Sequence, residues 1–140
     1  MQLACPAGFT LASYQVVIAA GPRGLVLPPY KGSTLRGGFA GTFRRLACAA
    51  RQDDCRGCSL KDACPYHVVF ETSPPPVSQA LRNLADIPRP FVLEPPPEDK
   101  TDYTPGECLA FNLILTGQAI PLVPSSAARS TLEWSWLQCR

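Results

Sequence analysis

The feature that most constrains this chain is the stretch Tyr30–Tyr66, YKGSTLRGGFAGTFRRLACAARQDDCRGCSLKDACPY, where an amphipathic helix pattern runs directly into closely spaced cysteines. Cys48, Cys55, Cys58 and Cys64 have the spacing C-x6-C-x2-C-x5-C. Each short spacing closes a loop that can wrap one ion, and the x2 gap places Cys55 and Cys58 on a single tight turn. A structural Zn²⁺ takes four thiolates tetrahedrally, and a [4Fe–4S] cluster also takes four. The remaining alternative is that the thiols are reduced and simply packed.

The pattern before the cysteines predicts a helix from Thr34 to about Ala49, with Ser33 as its N-cap. At 100° per residue, Leu35, Phe39, Phe43 and Leu46 fall within an arc of about 80°, a stripe that faces a core. Arg44 lies opposite that stripe and Arg45 on its flank. Gly37, Gly38 and Gly41 share the remaining side. Each glycine costs roughly 1 kcal/mol in a helix interior relative to alanine, so three together predict a close neighbour. That neighbour is either another element of the protein or a ligand backbone such as RNA phosphate. The first amides of the helix, with Lys31 and Arg36 beside them, suit a phosphate.

The 140 residues make one domain of ordinary size, and 46% hydrophobic with 17% charged residues marks a globular chain. Charge divides unevenly. Residues 1–70 carry eight Lys/Arg against three Asp/Glu, whereas residues 71–140 carry five against eight. A basic half is what a phosphate-binding face needs, but a net +5 there supplies only a share of a larger surface. No apolar run approaches the ~18 residues of a membrane helix. The opening MQLACPAG has no room for the basic and apolar regions of a leader, which predicts a cytoplasmic protein with reduced cysteines.

The rest of the chain reads mainly as strands. Phe9–Ala20 is β-branched and aromatic, a strand buried on both faces towards its end, and Gly21–Gly24 is a turn before Leu25–Leu27. Tyr66–Thr72 is expected to be a strand, Val77–Ala85 two helical turns, and Pro90–Glu94 a short edge strand between prolines. An acidic, proline-rich connection leads to a turn at Thr104–Glu107 and a clear strand at Cys108–Thr116. Cys108 is expected to be a small core residue, with Cys5 and Cys139 as spares. Residues 1–124 form the domain. Residues 125–140, with Trp134 and Trp136, form a divergent tail without clear period, an amphipathic segment in which both indoles dock.

Two resemblances bear on these motifs. CAARQDDCRGCSLKDACPY resembles the iron–sulfur loop of the endonuclease III and adenine-glycosylase family, in the loop alone. The strand-like residues before it leave no room for that family's helix-hairpin-helix, so the likeness is convergent and tilts the metal towards [4Fe–4S]. More broadly, LPPYKGSTLRGGFAGTFRRLAC, CPYHVVFET, PRPFVLEPP and YTPGECLAFNLILTGQAI, across roughly residues 10–124, resemble the N-terminal half of a CRISPR-associated precursor-RNA-processing endoribonuclease of the RAMP superfamily, cysteine-containing branch.

That resemblance implies an α+β fold: an incomplete ferredoxin-like domain, RRM-like in its βαββαβ order, with an antiparallel sheet, one main helix and the four-cysteine loop. The family's second helix, closing strand and second domain have no counterpart in the pattern after Pro124. The implied partners are CRISPR repeat RNA and either the missing C-terminal domain or a second chain. The implied chemistry is metal-independent cleavage by ribose 2′-hydroxyl attack, assisted by a general base that is usually histidine. The helix has no histidine, which leaves Tyr30, Lys31 and His67 as weak catalytic candidates. Lys31, Arg36, Arg44 and Arg45 are the candidate RNA contacts. Three readings stay open: the endoribonuclease or an inactive fragment of one, a non-catalytic RNA-binding or scaffolding module, and a small iron–sulfur module without nucleic acid.

Overall fold

The computed structural model describes residues 8–51, 54–72 and 87–122. Their architecture is mixed α/β, with antiparallel sheets and one main helix. β1 (Leu11–Ala19) pairs along its whole length with β5 (Cys108–Thr116), Leu11 opposite Thr116 and Ala19 opposite Cys108. β3 (Phe91–Glu94) takes the other side of β5, Phe91 opposite Leu115, so the order is β1-β5-β3. β3 is an edge strand as its flanking prolines require, since Pro cannot donate to a ladder. β5 alternates strictly: Leu109, Phe111, Leu113 and Leu115 are buried and the residues between them are not. β1 is buried at its end, at Ile18 and Ala19.

A second, two-stranded ribbon pairs β2 (Leu25–Val26) with β4 (Asp102–Tyr103). Gly24, at φ +74°, makes the approach possible: a Cβ there would lie 2.8 Å from the Tyr103 carbonyl. The expected turn before β5 closes with the Glu107 N–H donating to the Thr104 carbonyl at 2.9 Å.

α1 spans Gly32–Ala47. It buries Leu35, Phe39 and Phe43 as its spacing predicts, together with Thr42. Leu46 departs from the stripe and is 53% exposed, because the last turn runs past the edge of the core. The N-cap position is Lys31 rather than Ser33, with no side-chain cap, and Cys48 is already extended, two residues short of the expected end.

The segment expected as a strand at Tyr66–Thr72 is instead a helix, α2 (Pro65–Phe70). Pro65 occupies its first turn, where a missing N–H is harmless. Tyr66 and Phe70, four residues apart, stack at 5.3 Å, which only helical spacing allows. The two helices meet the sheet through one aromatic cluster. Phe70 lies 5.3 Å from Phe39, 5.9 Å from Phe43 and 5.0 Å from Phe91 between ring centroids. Pairs of this geometry add about 0.5–1.5 kcal/mol each beyond their burial.

Val77–Ala85, the tail with Trp134 and Trp136, Cys5 and Cys139 lie outside the described residues. Among the described residues no helix is long and apolar enough to cross a membrane.

Candidate functional site

α1 delivers the basic residues and the first cysteine to one place. Arg44 and Arg45 occupy its last turn, where the helix dipole favours cations. One turn on, the Cys48 N–H donates to the Arg44 carbonyl at 2.9 Å. The chain then leaves the helix through Arg51, whose φ of 51° reverses its direction.

Beyond residues 52–53 the backbone advances by tight turns. The Cys58 N–H donates to the Cys55 carbonyl at 3.3 Å, so the x2 pair does share one turn. Lys61 N–H then donates to the Cys58 carbonyl at 3.3 Å, and Cys64 N–H to the Lys61 carbonyl at 3.2 Å. A short 3-10 turn, Lys61–Ala63, leads to Cys64, whose carbonyl accepts the Val68 N–H at 3.1 Å and so starts α2. The four cysteines are therefore attached to the end of α1, a turn, and the start of α2.

All four thiols are free, Cys48 buried and the others partly so. Burial pushes the Cys55 thiol up; the Arg44 guanidinium pulls it down, and Glu71, Cys48 and Cys64 push it up further. Cys55 thus lies within electrostatic reach of Cys48 and Cys64 at the junction of the two helices. An all-sulfur donor set is the kind that Zn²⁺ or a [4Fe–4S] cluster takes. Among the described residues, no three His, Cys, Asp or Glu side chains are gathered as a metal-holding group.

The arginines fall on two flanks of α1. Arg36 caps the Phe91 ring at 5.7 Å and Arg44 caps the Tyr66 ring at 5.5 Å, both along one rim of the aromatic cluster. Eight residues separate them, about 12 Å along the axis at the α-helical rise. Arg45 lies on the other flank, exposed, its Nη2 donating to Thr42 Oγ1 at 3.2 Å. Stacking on a ring fixes a guanidinium while leaving its edges to hydrogen-bond. Burial pushes the Tyr66 phenol up, with Glu71 adding to the rise and Arg44 opposing it.

Three other predicted residues take different positions. Lys31 is 1% exposed, its Nζ donating to the carbonyls of Glu98 at 2.6 Å and Pro29 at 3.1 Å. That burial takes it out of any solvent-facing RNA surface and makes it a clamp between the start of α1 and the acidic connection. Tyr30 is 69% exposed, and its ring lies over Gly32, where a Cβ would collide with the phenol. His67, expected on a strand, sits on α2, 8% exposed, with Nδ1 buried and without a hydrogen-bond partner.

On the glycine side of α1 two of the three glycines have open space beside them. A Cβ at Gly37 or Gly41 would meet nothing within 4 Å among the described residues. Cys108, expected to be a small core residue, is exposed and disulfide-bonded, on the opposite face of β5 from Leu109. Arg51 and Arg56 are exposed cations of the cysteine segment that the helix-centred reading passed over, with Lys61 half-buried beside them. Their signal in the sequence is the run of basic residues interleaved with the cysteines, RQDDCRGCSLKDAC.

Residues 9–130 match the family AF_1859_N, described as an N-terminal domain. No curated protein and no solved structure matches the chain.

Proposed function

The chain belongs to the AF_1859_N N-terminal domain family, and we propose, from its arginine-bearing helix and the resemblance of its motifs, that it is an RNA-binding module of the CRISPR precursor-RNA-processing type, which binds repeat RNA without cleaving it. The observation that carries this reading is the pair of ring-stacked guanidiniums, Arg36 and Arg44, held about two helical turns apart on one rim of α1. Arg45, Arg51 and Arg56 extend the cationic surface around the end of the helix. These groups meet phosphates at little further ordering cost, since packing has already restrained Arg36 and Arg44.

The strand order supports a ferredoxin-like arrangement. β1 and β3 are both antiparallel to the strand between them, and α1 connects them, which matches the first, third and second strands of a βαββαβ unit. In this reading the cysteine segment is a brace. Cys48, Cys55, Cys58 and Cys64 would hold a structural metal, a [4Fe–4S] cluster slightly ahead of Zn²⁺, and fix the end of α1 to the start of α2. These four thiols are free, as metal ligation needs, whereas Cys108 is disulfide-bonded, so the cysteines together do not argue for a reducing compartment.

Binding without cleavage is favoured over the endoribonuclease reading by the burial of Lys31 and His67. Of the three catalytic candidates only Tyr30 reaches solvent freely, and a lone phenol without a histidine or lysine beside it makes a poor general base. Fluorescence anisotropy with repeat-hairpin RNA, beside a gel assay for 2′,3′-cyclic products, tests this. Salt-dependent binding with no cleavage is expected. A cut hairpin would restore the enzyme reading, and no binding would leave a metal module without nucleic acid. Elemental analysis of protein purified without oxygen tests the brace: zinc, or iron with sulfide, is expected.

A further inference from the structure

Cys108 is disulfide-bonded, whereas Cys48, Cys55, Cys58 and Cys64 are free. Of the seven cysteines in the chain, that leaves Cys5 and Cys139 as its partner. Reach separates the two. The Gly117 N–H donates to the Thr10 carbonyl at 3.0 Å, which fixes Thr10 at one end of the β1–β5 ladder, while Cys108 lies opposite Ala19 at the other. The nine steps of strand from Thr10 to Ala19 cover about 30 Å. Cys5 precedes Thr10 by five residues, which extend at most about 18 Å, and a disulfide adds at most about 7 Å between Cα atoms. Cys5 falls short. Cys139 follows Leu122 by 17 residues, enough chain to run the length of β5 with residues to spare.

The sulfur lies on the outer face of the sheet. Leu109 points into the core, so Cys108 points the other way, and the register puts Ala19 and Val17 of β1 and Val92 of β3 on the same face. Leu11, Val17 and Val92 are exposed there. Ala19, directly across the ladder from Cys108, is instead 1% exposed. Cover on this face thus begins beside the disulfide. The charged side chain that the three strands place on this face is Glu94, whose carboxylate accepts from Asn112 Nδ2 at 3.2 Å. An RNA phosphate meets no cation from these strands, whereas an apolar segment finds surface to bury.

We propose that a Cys108–Cys139 disulfide straps the C-terminal segment across this outer face and seats its tryptophans on Val17 and the apolar residues beyond it. Leu132, Trp134, Trp136 and Leu137 all fall within the seven residues before Cys139, so the bond brings the apolar part of the tail onto an apolar face. The tether makes docking intramolecular, which raises the local concentration of the indoles at the sheet without any new contact. The strap is reversible, because Cys108 is exposed and a small thiol can reach it. It closes by exchange with a small disulfide such as oxidised glutathione. Two protons and two electrons pass from the cysteines to the oxidant, which departs as two thiols. A dithiol runs the same exchange backwards and frees the tail.

Two readouts on the full chain test the strap. Trypsin puts the three cysteines on different peptides, Cys5 on residues 1–23, Cys108 on 101–129 and Cys139 on 130–140. Protein equilibrated with oxidised glutathione, alkylated and digested without reduction should yield 101–129 linked to 130–140. Trp134 and Trp136 are the only tryptophans of the chain, so indole emission reports the tail alone. In the linked protein that emission should be blue-shifted and several-fold less quenched by acrylamide than after reduction with dithiothreitol. Cys139→Ser should match the reduced protein while leaving the four free thiols untouched. Val17→Glu should keep the linkage and lose the shielding, with an unchanged far-UV spectrum verifying that the sheet is folded. The linkage is overturned if Cys108 is found joined to Cys5, capped by glutathione, alkylated, or bonded to a second chain as a dimer on non-reducing gels. Docking is overturned by a linked tail whose indoles are quenched as freely as in Cys139→Ser, and shielding that survives Val17→Glu would take the tail off this face. None of these outcomes depends on whether the protein binds RNA.

Discussion

Lys31 is the residue whose role the fold changes most. Its ammonium group is buried and bonded to two carbonyls, one of them 67 positions away at Glu98. Methionine there would keep the apolar stem and leave both carbonyls without their donor, at a cost of about 1–3 kcal/mol. Lys31→Met should therefore lower stability in urea unfolding by that order while RNA affinity at fixed salt is unchanged. A loss of affinity in a fully folded variant would return Lys31 to the RNA surface. Lys100 and Glu107 illustrate a smaller, exposed effect. The hydrogen-bonded ion pair between them holds the Glu107 carboxyl below its ordinary range, helped by the Thr104 N–H, and lifts the Lys100 amine above its own. A depressed acid stabilises the fold above its unfolded pKa and loses that contribution as pH falls through the lower, folded value. A raised base stabilises below its unfolded pKa and loses the contribution as pH rises through the folded one. The pair thus acts between the two, and Glu107→Gln should flatten the acid limb of the stability–pH curve, read by thermal melts at several pH values. An unchanged acid limb would mean the pair is absent in solution.

At the scale of elements, α1 combines a packed side and an open one. Among the described residues nothing approaches Gly37 or Gly41, so alanine at either position should stabilise the helix by about 0.5–1 kcal/mol. Denaturant midpoints check this, and the same variants ask what the glycines are for. If RNA backbone lies against that side, Gly37→Ala and Gly41→Ala will weaken binding despite the added stability; if affinity holds, the RNA rests on the arginine rims alone. The opposite side is anchored by aromatic packing, and Phe39→Ala should cost about 3–5 kcal/mol. These elements were unequally legible. β5 announced itself because one face is buried and its residues alternate, and α1 because Leu35, Phe39 and Phe43 repeat at helical spacing. α2 was hidden: six residues hold little more than one period, and adjacent Val68 and Val69 mimic a strand. The exposure of Leu46 depends on where the core ends, which periodicity does not encode. Lys31 was illegible as a buried residue because its partner, Glu98, belongs to a distant connection that no local pattern links to α1. The shared turn of Cys55 and Cys58 was readable from spacing, since only two residues separate them.

The whole molecule joins a three-stranded antiparallel sheet, a helix that displays guanidiniums, and a cysteine segment between this helix and the next. The excess of positive charge in residues 1–70 gathers at the end of α1 and the turns after it, whereas the connection before β5 carries Glu98, Asp99 and Asp102. An RNA strand approaching this protein is drawn to the first region and repelled from the second. If the cysteines hold a metal, stripping it with a strong chelator should loosen the end of α1, lower the melting temperature and reduce RNA affinity together; a chelator that changes none of these leaves the thiols as ordinary packing. The most direct measurement is the salt dependence of repeat-RNA binding for the wild-type chain and for Arg36→Ala/Arg44→Ala. Each single-strand phosphate contact contributes about 0.7 to the slope of log affinity against log salt, so the double variant should bind more weakly with a slope shallower by about 1.4. An identical slope and affinity in both proteins would contradict the claim that this face of α1 meets RNA.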